Sequence, residues 1–204
     1  MVTRSVAPWA EPVPGVDRAI TADELLTWPD DGWQYELVEG RLVRMAPTGY
    51  GHTSLATRTI SPMLHFVDAG NLGLVTLPDT GFRLGVPGQA ETVLSPDIAF
   101  LSAAKVALLP AKGSEGWAKY ITVPPDLAIE IPSPDQFRPE MAAKARLYLA
   151  LGVKLVWILW ERRKSADVWR PGSDQPVATL GVDDLLSGED ILPGFTLSLA
   201  RLFD

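Results

Sequence analysis

The stretch Pro125–Trp160, PDLAIEIPSPDQFRPEMAAKARLYLALGVKLVWILW, decides the fold. It reads as strand, loop, helix, strand. From Leu127 to Ile131 every residue but one is apolar, the composition of a strand buried on both faces of a sheet. The exception is Glu130. A helix from Glu140 to Leu151 sets Met141, Lys144, Tyr148 and Leu151 on one face by their spacing of three, four and three. Lys144 therefore falls on the stripe that packs inward. An unpaired carboxylate and an unpaired ammonium are each costly to bury, so two charges out of place in adjacent elements are better read as one polar site. For Lys144 the competing reading is a side chain that snorkels from the edge of the buried face.

Working outward, Gly152 caps the helix and Val153–Trp160 is a strand rich in branched and aromatic residues, with Asp167–Arg170 as its hairpin partner. Val177–Leu180, Val182–Leu186 and Pro193–Leu199 predict peripheral strands and turns. Upstream, Thr21 and Glu24 have capping-box spacing for a short helix ending near Trp28-Pro29. Gln34–Val38 and Arg41–Met45 flank Glu39-Gly40 as a hairpin. Gly51–Ala69 is a helix with Leu55, Ile60, Met63, Leu64 and Val67 apolar, in which Pro62 imposes a kink or a later start. Leu74–Leu77, Gly81–Val86 and Pro96–Leu101 are strand-like, and Lys105–Lys119 is a long irregular excursion. Residues 1–18, with Pro8, Pro12 and Pro14, read as a flexible or loosely docked arm, and residues 19–204 as a single domain. The order of elements is that of an α/β sandwich or α+β sheet. No glycine-rich phosphate loop joins a strand to a helix, which excludes a doubly wound nucleotide fold.

Composition narrows the chemistry. The chain has 204 residues, 47% of them hydrophobic, enough for a proper core. It has no cysteine and only two histidines, His52 and His65, so disulfides, thiolate zinc sites and histidine-rich metal sites are excluded. No apolar run reaches the ~20 residues that cross a bilayer, and the expected location is the cytoplasm. The formal charge of −7 argues against strong nonspecific DNA binding while leaving room for a local basic face. Lys154 and the run Arg162, Arg163, Lys164 could touch phosphates, or form only a solvated hairpin tip. The seven tryptophans read mainly as strand and core residues.

Three acids lie in or at the mouth of apolar strands: Glu36, Asp97 and Glu130. Any one of the three could be a strand-end residue facing water, but Glu130, flanked by aliphatic neighbours, is hard to explain that way. Carboxylates without cysteine or a histidine cluster suit a hard cation such as Mg²⁺, held by one or two of them and completed by water and phosphate. Asp97 and Glu130 would meet that need, with a lysine to orient or deprotonate the attacking water and stabilise charge on phosphorus. That is the chemistry of phosphodiester hydrolysis. A glycosidase-like pair is the other use of two carboxylates, but it leaves Lys144 without a role. Ser133 lacks the GxSxG elbow of a serine nucleophile. His52 alone reads as a helix-start residue, with a supporting or phosphate-contact role open to it, and His65 as structural.

YELVEGRLV followed by MAPTGYGH, then SPDIAF, PDLAIEIPSP and KARLYLALGVKLVWIL, resemble the Uma2 family (DUF820) of endonucleases, from about Ile20 to the C-terminus. The resemblance implies a restriction-endonuclease-like PD-(D/E)XK core, in which a central mixed β-sheet flanked by helices carries an extra N-terminal hairpin and C-terminal strands. It implies that Asp97 and Glu130 bind Mg²⁺ or Mn²⁺, and that Lys144 replaces the lysine that ordinarily follows the second acid by two positions, here Pro132. Glu36 and His52 match residues that line the site. The implied activity is DNA endonuclease cleavage by a homodimer; the alternative is a silent nuclease-fold binding or assembly protein. The chain departs from the family at Asp135, at Glu140 and at LWERRK after the tryptophan strand, none of them a proposed ligand.

Overall fold

The computed structural model describes residues 7–85 and 90–204. In chain order the strands are β1 (Glu11–Pro12), β2 (Gln34–Val38), β3 (Arg41–Met45), β4 (Gly73–Thr76), β5 (Phe82–Leu84), β6 (Thr92–Leu94) and β7 (Ile98–Ser102). They continue with β8 (Leu127–Glu130), β9 (Leu155–Trp160), β10 (Ser165–Trp169), β11 (Ala178–Leu180), β12 (Leu185–Ser187) and β13 (Thr196–Ser198). The α-helices are α1 (Ala22–Leu26), α2 (Tyr50–Gly70), α3 (Ala103–Val106), α4 (Arg138–Ala150) and α5 (Leu199–Leu202).

A six-stranded mixed sheet, ordered β11-β10-β9-β8-β7-β4, forms the centre, and β8 lies inside it. β8 runs parallel to β9, the pair that α4 connects, and antiparallel to β7. Because side chains alternate along a strand, the two faces of this sheet have separate cores. Ile98, Phe100, Leu127, Ile129, Leu155 and Trp157 point to the α2 side, where they meet Leu55, Ile60, Met63 and Val67. Ala128, Val156, Ile158 and Trp160 point to the other side, against Met141, Ala145 and Tyr148 of α4. Glu130 has the parity of Ala128 and so faces α4. A five-stranded sheet, β1-β3-β2-β6-β5, adds Val38, Val43 and Leu94 to that second core.

The hairpin β2–β3 matches the sequence expectation residue for residue, with Glu39 and Gly40 both at positive φ in the turn. The capping box at Thr21 and Glu24 is formed. Three expectations change. First, α2 starts at Tyr50 and continues through Pro62, so the proline neither delays nor ends it, and Leu64 faces solvent. Second, Thr92–Leu94, unread in the sequence, is a strand pairing with both β2 and β5. Third, the N-terminal segment, read as a flexible or loosely docked arm, is anchored near its start while most of its residues from Pro8 to Arg18 stay exposed. Ala7 and Trp9 are buried, and Glu11 and Pro12 pair with Arg44 and Val43 of β3. Residues 1–6 of the expected arm, and Val86 at the end of the expected Gly81–Val86 strand, lie outside the described residues. Among the described residues, no helix is long and apolar enough to cross a membrane.

Candidate active site

The β7–β8 register pairs Ile98 with Ile129, and one further step along the ladder sets Asp97 opposite Glu130. Asp97 stops short of the strand proper because its side chain takes over the pairing: Oδ2 accepts from the backbone N–H of Ile131 at 2.7 Å. Its Oδ1 lies 3.0 Å from His52 Nε2, which projects from the first turn of α2. That turn is held close by Glu161, whose carboxylate packs onto Gly51 where a Cβ would collide with it.

Glu130 is buried, 6% exposed, and Lys144 is 3% exposed. Lys144 Nζ donates to Glu130 Oε2 at 3.0 Å and lies 3.0 Å from Oε1. It also lies 3.2 Å from Glu36 Oε1 on β2. Tyr148, one turn after Lys144 on the same helix face, donates its hydroxyl to Glu130 Oε1 at 2.7 Å. Glu36 is completely buried, and its remaining capacity is met by the Ser95 backbone N–H at 2.9 Å and the Trp9 indole N–H at 3.2 Å. Gln136 in turn donates to the Trp9 carbonyl at 2.8 Å, tying the N-terminal segment to the loop after β8.

The electrostatics are unbalanced. Three carboxylates, Glu36, Asp97 and Glu130, surround one buried ammonium. The Glu130 carboxyl is raised to about 7: burial is the largest cause and Asp97 and Glu36 add to it, against the pull of Lys144 and the Tyr148 hydrogen bond. Lys144 is raised from its usual value because its three carboxylate neighbours outweigh the cost of burial, so it stays charged. Burial lowers His52, but Asp97, Glu130 and Glu161 together raise it. Burial and the same carboxylates hold the Tyr148 phenol protonated. The Lys144 ammonium therefore sits as a fixed positive charge beside Glu130 and Glu36.

The five candidate residues converge: His52 contacts Asp97, Lys144 joins Glu130 to Glu36, and the β7–β8 ladder sets the two groups side by side. Trp9, Ser95 and Tyr148 complete the site and were not anticipated as members. Tyr148 stood on the same helical stripe as Lys144, which was its only signal; Trp9 gave none. His65 is exposed farther along α2. Lys154 is elsewhere, 3.1 Å from Asp126 at the opposite end of β8, so it does not serve this site.

Access is through Asp97. Two cavities, of about 270 and 170 Å³, share Gln34, Pro78 and Asp97. The larger is walled by Trp28, Trp33, Tyr35 and Tyr120, the smaller by His52, Thr53 and Thr57. Trp157, Trp160 and Trp169 are buried as expected and Trp9 is buried against expectation, whereas Trp28 and Trp33 are placed at the entrance and Trp117 is exposed.

Among the described residues no group of three or more acids and histidines has metal-cage geometry. Mg²⁺ does not require one, since it takes one or two carboxylates and keeps its waters. A cross-strand pair of carboxylates with excess negative charge at a solvent-reached edge fits such an ion.

The family model described as "Putative restriction endonuclease" matches residues 22–200. Among solved structures, the chain is similar to one described as a putative nuclease belonging to DUF820 from Anabaena variabilis. The TM-score is 0.72 at 23% identity, over 90% of this chain and 97% of that one. No curated protein matches. The nuclease-type fold expected from the sequence is therefore the fold observed, and with the family model spanning β2 to β13 and every candidate site residue except Trp9, the chain belongs to the Uma2 family.

Proposed function

We propose that the protein is a Mg²⁺-dependent endonuclease that hydrolyses phosphodiester bonds of DNA, with Asp97 and Glu130 as the metal-holding acids. The observation that carries this reading is the reach of Lys144 from α4 to Glu130 at 3.0 Å. It restores next to the second acid the positive charge that Pro132 cannot supply. Bound there, Mg²⁺ or Mn²⁺ would lower the pKa of a coordinated water and offset charge on the phosphate. Lys144 and Tyr148 fix the orientation of Glu130, and the Ile131 N–H and His52 fix Asp97, as ligand-supporting groups do in metal sites. Glu36 holds Lys144 from the far side and needs no contact with substrate.

The alternative, a silent nuclease-fold binding or assembly protein, draws on one observation: every carboxylate oxygen of Asp97 and Glu130 already has a protein partner. Cleavage of plasmid DNA in Mg²⁺, with and without chelator, separates the two. The endonuclease reading expects chelator-sensitive nicking that Asp97→Asn abolishes. Wild-type rates in Asp97→Asn would overturn the site, and no cleavage together with no calorimetric Mn²⁺ binding would favour the silent reading. Cutting both strands with one site per chain calls for a homodimer, which sedimentation velocity with and without DNA tests.

A further inference from the structure

The end of β9 carries a feature the proposed chemistry does not use. Where β9 stops, Glu161–Arg163 form one 3-10 turn, closed by the Lys164 N–H on the Glu161 carbonyl at 3.1 Å. Lys164 ends the turn in the left-handed region, φ 46°. Arg162, Arg163 and Lys164 are exposed, and among the described residues none of them forms an ion pair, although most cations elsewhere in the chain do. In a chain of net charge −7, three adjacent cations without carboxylate partners are a local exception.

Arg162 and Arg163, with the Glu161 carboxylate beside them, face a cavity of about 180 Å³ whose other wall is the loop after β8, with Pro132, Pro134 and Phe137. The cavity opens two residues after Glu130, at the same sheet edge, since the parallel register matches Glu130 with Ile158 and so Pro132 with Trp160. Phe137 is 62% exposed and lines this cavity. The Arg163 guanidinium lies 5.8 Å from the centre of the Trp160 ring, which restrains it toward the cavity. On the other side of Glu161, a second cavity of about 460 Å³ shares Arg162 and adds Arg58 and Lys164.

We infer that this cleft binds one unpaired nucleotide of a nucleic-acid strand next to the bond to be cut. The base stacks on Phe137 against the prolines, and the flanking phosphates are held by Arg162 and Arg163. An exposed aromatic beside planar guanidinium donors is the combination that holds single strands without sequence preference. An acidic peptide would satisfy the arginines but leave the ring and its proline walls without a partner. The inference rests on the endonuclease reading for its substrate, and it predicts a preference for frayed, looped or single-stranded DNA over continuous duplex.

The test is fluorescence anisotropy with a labelled single-stranded oligodeoxynucleotide and its duplex, in chelator so that nothing is cut, across a salt series. Phe137→Ala is expected to weaken single-strand binding on the order of tenfold and to change duplex binding little. Arg162→Ala and Arg163→Ala are each expected to reduce the slope of log affinity against log salt by about 0.7. All three residues are exposed, and unchanged melting temperatures will show that the variants remain folded. If the wild type binds DNA and all three variants bind it equally well with the same salt slope, the cleft is not the subsite, while the endonuclease reading stands. Equal losses of single-strand and duplex binding in Phe137→Ala would overturn the unpaired nucleotide. A wild type that neither binds nor cuts any DNA would remove the endonuclease reading and the subsite together.

Discussion

Asp126 and Glu130 lie at the two ends of the same central strand, about 13 Å apart at the ordinary rise of a strand. Both are buried carboxylates with lysine partners, and their surroundings differ in kind. Asp126 receives the Ser102 N–H at 2.9 Å and has Lys105 and Lys154 at 3.0 and 3.1 Å. Burial raises its pKa, but these donors more than reverse that and hold it below the usual carboxylate range. Glu130 shares a single lysine with Glu36 and has Asp97 across the ladder, and its pKa rises. One end of β8 has two cations for one acid; the other has three acids around one ammonium. The first arrangement stabilises the fold, whereas the second concentrates like charge beside the Asp97 cavities, at some cost in stability.

The harshest way to break this contrast is Lys144→Met. It strips the only ammonium from Glu36 and Glu130 and leaves two buried carboxylates uncompensated, for an expected loss of about 3–5 kcal/mol in chemical denaturation. Cleavage is expected to vanish with it. Asp126→Asn comes next, at about 1–3 kcal/mol, since Lys105 and Lys154 are part-exposed and regain water. Its pH dependence identifies the cause. The folded pKa of Asp126 lies below its ordinary 3.8, so its stabilisation is complete above that value and is lost as pH falls through the folded value. The stability gap between wild type and Asp126→Asn should therefore be constant near neutrality and close in acid.

Trp9→Phe removes one indole N–H from Glu36 and keeps the ring packed, for an expected cost of about 1 kcal/mol. Glu130→Gln is expected to have the smallest effect on stability, under about 1 kcal/mol, because an amide oxygen in the Oε1 position still accepts from both Tyr148 and Lys144, and removing one of three like charges offsets the Oε2 contact that the NH2 group cannot make. In metal-free protein the sign again follows from linkage. A carboxyl raised from 4.5 to about 7 holds a proton in the folded state that the unfolded chain releases, so wild-type stability falls as pH rises across that window. Glu130→Gln should lack that slope when melting is followed from pH 4.5 to 7.

Much of this was legible in the sequence, for reasons that differ by element. The β2–β3 hairpin was readable because its turn chemistry is local, and α1 because its cap lies within four residues. Glu130 and Lys144 were visible as charges on apolar stripes, and the register of β7 and β8 then brought Asp97 to them. Contacts between distant segments left no trace. Trp9 is fixed by Glu36 and by Gln136, which lies 127 residues away, so a proline-rich segment read as an arm becomes the back wall of the site. β6 is three residues long, too short to show a period. Lys154 read as a phosphate contact because its partner Asp126 belongs to the other end of the strand, and sequence spacing does not say which end a lysine meets.

The different roles of the two acids at the ends of β8 are separated by Mg²⁺-dependent nicking of plasmid DNA by Glu130→Gln and Asp126→Asn, side by side, at a temperature where both are folded. Glu130→Gln, the more stable of the two, is expected no longer to cut, while Asp126→Asn cuts at close to the wild-type rate. Cleavage by Glu130→Gln at the wild-type rate would contradict that difference in role.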